Sequence, residues 1–182
     1  MSTSQKLEKK DRPYSVVPYD KEWAEKYKQE QKIITDIFEN ISKSIEHIGS
    51  TSVEGMWAKP QIDILVIVDD LRLVDNLIAK MEAEGYTYQE DFNKYNERYF
   101  TRDASSGERL VSVHVMQLDN PEAQSNIYLR NYLRVNPQER ELYSKVKREA
   151  YESGANRAEY PIKKKEVLLG LLERAKEWNC VK

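Results

Sequence analysis

Apolar positions along this chain recur with two different periods, and each change of period marks a new element. After Asp20, a helix N-cap residue, the apolar positions Trp23, Tyr27, Ile34, Phe38 and Ile41 share one face of a long helix. Before it, Tyr14 to Tyr19 reads as a short extended segment limited by Pro18. Ile45 to Ile48 predicts a short strand, stopped by Gly49-Ser50-Thr51-Ser52. Ile62 to Val68 is an almost unbroken run of branched apolar residues, which suits a strand covered on both faces. Asp70 then caps a helix whose buried stripe is Leu73, Val74, Leu77, Ile78 and Met81, with Gly85 as its stop.

Tyr86 to Phe92 and Arg98 to Arg102 predict two weaker strands around a polar turn, and Ser105-Ser106-Gly107 marks the next turn. Leu110 to Leu118 alternates Leu110, Ser112, His114 and Met116 against Val111, Val113 and Val115, the period of a strand. The last third is helical. Asn120-Pro121 opens one helix, Asn136-Pro137 another with Glu139 at the capping-box position, and Pro161 the last. That last helix turns Val167, Leu168, Leu171, Leu172 and Ala175 inward. One helix, then strands with an inserted helix, then three helices is an α+β order, not the alternation of a doubly wound sheet.

Composition narrows the partners. The chain has 182 residues, a third of them charged, with 29 Lys+Arg against 31 Asp+Glu and a net charge of −2. That balance gives no general pull toward nucleic acid and no polybasic membrane anchor, so an anionic ligand needs a local cluster of cations. Cys180 is the single cysteine, which excludes an intrachain disulfide and a Cys-based metal cage. The polar, Lys-rich start lacks an apolar signal core, and no apolar run reaches membrane-spanning length, so the cytoplasm is the expected location. Residues 1–13 read as a flexible tail and residues 14–182 as a single domain, with nothing to set the oligomeric state.

The candidate chemistry lies in His47-Ile48-Gly49-Ser50-Thr51-Ser52-Val53-Glu54-Gly55 followed by Lys59-Pro60-Gln61-Ile62-Asp63. A strand ending in Gly-Ser lets backbone N–H groups approach a phosphate, and the hydroxyls of Ser50, Thr51 and Ser52 add donors. Lys59 brings a positive charge ahead of the next strand, where Asp63 sets a carboxylate inside an apolar run. Such a carboxylate needs a cation, a metal or hydrogen bonds to compensate its burial. Two readings follow for Asp63: an ion-pair partner of Lys59 or Arg98, or a metal ligand. His114 reads either as a hydrogen-bonded core residue or as a base lining a pocket. Arg130, Lys147 and Lys164, from three successive helices, are either solvated or convergent on one anion, with Tyr143 on the helix face of Lys147.

A Gly-Ser turn followed about a dozen residues on by a strand with an acidic-x-acidic pair resembles the signature of the nucleotidyltransferase superfamily. The chain resembles its GrpB-like branch in particular, over about residues 14–178. The resemblance is carried by Val17-Pro18-Tyr19 with Trp23, the His47-to-Gly55 segment, Lys59-Pro60 with Asp63, and Arg98-Tyr99-Phe100. It continues through Val113-His114-Val115, Leu129-Arg130, Tyr132-Leu133-Arg134, Tyr143 with Lys147, and Tyr160 with Lys164. It implies a nucleotidyltransferase-like small mixed sheet with the long N-terminal helix on it and a C-terminal helical layer. The implied cleft takes a nucleotide or other phosphorylated metabolite, with Asp63, His114 and Lys59 as its chemical groups. Gly49, Ser50, Thr51, Ser52, Arg98, Arg130, Lys147, Tyr160 and Lys164 would bind substrate. Asp63 would hold Mg2+, weakly, because the other carboxylate position of the pair falls on Gln61. Asn131 likewise stands where the resemblance implies an Asp. Some GrpB-like proteins are fused to dephospho-coenzyme A kinase, which points toward nucleotide-related metabolism without assigning a reaction. The competing expectation is a non-catalytic phosphometabolite-binding or protein-interaction module with a degenerate metal site.

Overall fold

A computed structural model describes residues 8–92 and 95–181. Most of the expected tail, residues 1–7, lies outside the described residues, as do two residues of the polar turn before Arg98. Within the rest of the tail, Lys9–Asp11 form a short 3-10 turn, and Arg12 donates to Asp103 at 2.8 Å.

The long helix is α1 (Glu22–Ile37), and the Asp20 carboxylate accepts the Glu22 N–H at its start. Trp23, Ile34 and Phe38 are fully buried from it. The sheet comprises β1 (Ser42–Ile48), β2 (Ile62–Val68), β3 (Thr87–Tyr88), β4 (Arg98–Asp103) and β5 (Arg109–Gln117) in the order β1-β2-β5-β4-β3. β2 and β5 run parallel and the other pairs antiparallel, so the sheet is mixed. The apolar run at 62–68 is placed as its composition requires, with a neighbour on each side and a layer on each face. Between β2 and α2 (Ile78–Ala83) the chain forms a 3-10 helix, Leu71–Leu77, with Asp70 accepting the Arg72 N–H.

Successive side chains on a strand face opposite ways, and here each face meets its own helical layer. Ile62, Ile64, Val66, Val111, Val113 and Val115 pack with Phe100 against α1 and the 71–83 segment. Leu65, Ile67 and Met116 pack on the other face with Ile48 and Ala123. That second face meets α3 (Pro121–Val135), and α4 (Pro137–Glu152), α5 (Tyr160–Lys163) and α6 (Lys165–Cys180) pack on α3 and on one another. Asn120 caps α3 as expected, accepting from the Glu122 N–H.

Four expectations change. Leu73 is 45% exposed, because the segment winds as a 3-10 helix there and a stripe drawn at 3.6 residues per turn drifts off its buried face. The strand expected over 86–92 shortens to Thr87–Tyr88, since the chain turns at Gln89. Asn136 caps nothing with its side chain, which donates instead to the Tyr132 carbonyl, and Glu139 pairs with Arg174 rather than closing a capping box. Pro161 opens only one turn before the helical run resets at Lys164.

Candidate functional site

The site forms where the second face of the sheet meets the helical layer. β1 ends at Ile48, paired with Asp63 of β2, so Gly49 begins its turn directly beside that carboxylate. Gly49 has φ +70°, and a Cβ built on it would lie 2.5 Å from Asp63 Oδ2 and 3.1 Å from its Cβ. Only glycine fits a turn that is both left-handed and this close to a neighbouring side chain.

Asp63, Gly49, Ser50 and Thr51 line a cleft of about 220 Å3 with Lys59 from the loop before β2 and Arg130, Lys147, Tyr160 and Lys164 from the helices. Among the described lining residues the basic ones are Lys59, Arg130, Lys147 and Lys164, and the acidic one is Asp63. The lysines rest on aromatic rings. Lys59 Nζ sits 4.9 Å from the Tyr160 ring centre, and Lys147 Nζ 4.9 Å from that of Tyr143. Lys164 donates to the Tyr143 hydroxyl at 2.7 Å. Lys147 is 2% exposed and donates to the Trp57 carbonyl. Burial, then the charges of Lys164 and Lys59, hold its ammonium pKa well below the usual lysine value. An anion in the cleft would therefore favour the charged form of Lys147.

Several residues expected to bind substrate are otherwise engaged. Thr51 Oγ1 donates to the Gln61 carbonyl and lies 3.0 Å from His47 Nε2, while Ser52 Oγ donates to the Gly49 carbonyl at 2.6 Å. Those hydroxyls shape the turn. Ser50 faces the cleft. Arg130 lines the cleft but is held by Glu46 at 2.7 Å and by the His47 carbonyl. Arg98 is a correction. It stands opposite Val115 in the register, on the α1 face of the sheet, and donates twice to Asp75. A one-residue step along a strand changes face, so neighbouring Tyr99 is on the site's side and Arg98 is not.

Asp63 Oδ1 accepts from Gln61 Nε2 at 2.5 Å. Gln61 Nε2 also reaches Ser112 Oγ at 3.2 Å, and Gln61 Oε1 accepts from Arg157 Nη2 at 2.9 Å. Ser112 is the β5 residue beside Asp63, whereas His114 stands beside Leu65 one pleat further on. Where a divalent cation would need carboxylates, the chain presents an amide, a single carboxylate and a hydroxyl, backed by a guanidinium. Mg2+ prefers hard anionic oxygens, so this donor set does not fit a resident ion. Among the described residues no group of three His, Cys, Asp or Glu side chains is placed to hold one. Burial and the charges of Arg109 and Arg12 depress the Arg157 pKa. Arg157 was not legible as a site residue, since it follows Gly154-Ala155-Asn156 in a loop without a motif. His114 lines an adjoining cavity with Asp63 and Gly49, and its Nδ1 is 2.6 Å from Glu97 Oε2.

Comparison with known proteins agrees with this architecture. A family model described as GrpB protein matches residues 13–174. The UPF0157 protein YqkA of Bacillus subtilis is 30% identical over 169 residues, and the match covers 92% of this chain but 49% of YqkA. The chain thus spans about half the length of that relative. The crystal structure of the conserved protein GrpB from Enterococcus faecalis superposes with a TM-score of 0.80 at 33% identity, covering 90% of this chain and 99% of that one. A cytoplasmic RNA terminal U-transferase shares the fold, with a TM-score of 0.52 at 16% identity over 72% of this chain and 41% of its own. Among the described residues, no helix is long and apolar enough to cross a membrane.

Proposed function

The chain belongs to the GrpB family and has a nucleotidyltransferase-type fold, and from that premise we propose that its cleft binds a nucleotide or another phosphorylated metabolite by the phosphates. The observation that carries this reading is the convergence of Lys59, Lys147 and Lys164 on a Gly49-Ser50 turn, against the one carboxylate of Asp63, with Arg130 beside them paired to Glu46. A chain of net charge −2 concentrates cations there and desolvates one of them. Positive charge held in a partly dry cleft is worth far more to an anion than the same charge in water.

The Gln61–Asp63–Ser112–Arg157 network favours phosphate binding without a resident metal over transfer that depends on one. The charge that a metal would supply comes instead from side chains, as lysine and arginine clamps do at other phosphoryl sites. A melting-shift screen against nucleotides, coenzyme A precursors and sugar phosphates, with and without Mg2+ or Mn2+, tests the reading. A ligand that stabilises the fold should do so in chelator as well as in metal, in proportion to its occupancy. No stabilisation by any phosphorylated compound, or stabilisation only with metal, would overturn it.

A further inference from the structure

Behind the Gly49-Ser50 turn lies a second, more open groove of about 820 Å3, and Thr51 lines both hollows. Its walls include Tyr27, His47, Glu54, Arg134 and Arg140. Arg134, in the last turn of α3, donates to the Ser52 carbonyl from Nε at 3.1 Å and from Nη2 at 2.8 Å. Arg140, early in α4, brings Nη1 to the Leu133 and Arg134 carbonyls only at 3.5 Å. Its Nε stands 3.6 Å from where a Cβ on Gly55 would lie. Among the described residues neither arginine forms a salt bridge, whereas Arg130 pairs with Glu46 and Arg174 with Glu139. A guanidinium carries five N–H donors, so Nη1 of Arg134 and Nη2 of Arg140 remain open to an acceptor in the groove. Lys28 at the rim is shared with Glu25 at 2.8 Å. Partial burial, then the charge of Arg130, depresses the Arg134 pKa, so this cation lacks a compensating anion.

We propose that this groove is a second anion site, separate from the cleft, in which Arg134 and Arg140 hold a doubly charged oxyanion of the phosphate-monoester or dicarboxylate kind. Two guanidiniums that face one hollow repel each other, and a dianion gives each of them a charge-assisted partner. The Tyr27 ring lies flat on His47 with centres 4.6 Å apart. The Tyr27 hydroxyl donates to the Ile45 carbonyl and His47 Nε2 faces Thr51 Oγ1, so this wall offers apolar contact while the arginines supply the polar recognition. Glu54 is the acidic lining residue and opposes the ligand. The proposal does not depend on what the cleft binds.

The two histidines of the chain report the two hollows separately, His47 from the groove and His114 from the cavity that adjoins the cleft. Inorganic phosphate, malonate and acetate are each titrated into the whole chain at mildly alkaline pH and constant ionic strength, with 1H–13C spectra of the imidazoles as the readout. The His47 signal should move saturably with phosphate or malonate, in the wild type and in Lys164→Ala alike, and the tighter of the two names the source of the dianion. Acetate, a monoanion, should bind about tenfold more weakly or worse. Arg134→Gln also releases the Ser52 carbonyl, so Arg140→Gln, whose bonds to the fold are long, carries the test. It should keep its melting temperature and weaken the titration by about tenfold or more, while Glu54→Gln should tighten it. A His47 signal that neither dianion moves, or acetate binding as tightly as both, overturns the proposal. A titration lost in Lys164→Ala but kept in Arg140→Gln puts the anion in the cleft and equally overturns the second site.

Discussion

Replacing Gly49 with alanine tests the turn at its tightest point. The new Cβ would sit 2.5 Å from Asp63 Oδ2, 3.1 Å from its Cβ and 3.2 Å from its Cγ, on a backbone with φ +70° and ψ −174°. That region is close to glycine-only, and holding another residue there costs about 1–3 kcal/mol. The overlap adds about 1–3 kcal/mol, the usual range for forcing extra volume into a packed site. The sum, about 2–6 kcal/mol, should lower Tm by roughly 10 °C in a chain of this length. Differential scanning calorimetry checks it. Asp63→Ala removes the carboxylate contacts but keeps a Cβ, so the double variant should recover part of the steric loss and none of the backbone strain. A coupling energy of about 1 kcal/mol or more between the two positions is the expected outcome. A Gly49→Ala protein melting within about 2 °C of wild type would refute the close approach of β1 and β2.

Three further outcomes follow from the same geometry. Burial, then Arg134 and Arg130, push His47 down to about 4, below its ordinary value of 6.5. The unfolded chain therefore binds a proton that the folded one refuses as pH falls through that window. Stability is kept above it and lost by about 2 kcal/mol near pH 5 in roughly neutral-referenced urea titrations, and His47→Gln should remove that slope. Gln61→Asp should pair with Arg157 and gain little Mn2+ affinity, whereas Gln61→Asp with Arg157→Gln should gain it; tight Mn2+ binding by the single variant would show that Arg157 does not guard the position. Because an anion favours charged Lys147, pyrophosphate binding near or above neutral pH should take up protons, seen as buffer-dependent calorimetric heats, and buffer-independent heats would contradict it.

What was legible in the sequence was whatever depends on local period. The run at 62–68 announced a strand covered on both faces, and alternation over 110–118 placed His114 opposite Val113 and Val115. The shared face of Tyr143 and Lys147 also followed from helical spacing, and their ring-to-ammonium contact is a consequence. Arg98 was beyond that logic, because the face it takes depends on the register of β4 against β5, which no single strand encodes. Thr51 and Ser52 looked like phosphate donors because composition shows hydroxyls, not their partners; the Gln61 and Gly49 carbonyls take both. Arg157 lies far from Gln61 in the chain, and Glu97 from His114; only the folding of the 155–159 loop and the start of β4 brings each to its partner. Leu73 was misplaced by assuming 3.6 residues per turn where the chain winds tighter.

The central claim is that the lysine-lined cleft beside Gly49-Ser50 holds phosphate. Calorimetric titration of ATP and pyrophosphate into the wild type, Lys59→Ala, Lys164→Ala and Arg98→Ala, all in chelator, tests it most directly. The account predicts saturable binding by the wild type, unchanged by Arg98→Ala on the far face. Each lysine variant should weaken it by about 1–3 kcal/mol, the range for a lost charge-assisted hydrogen bond. Equal affinities across all four proteins, or no binding by a folded wild type, would contradict it.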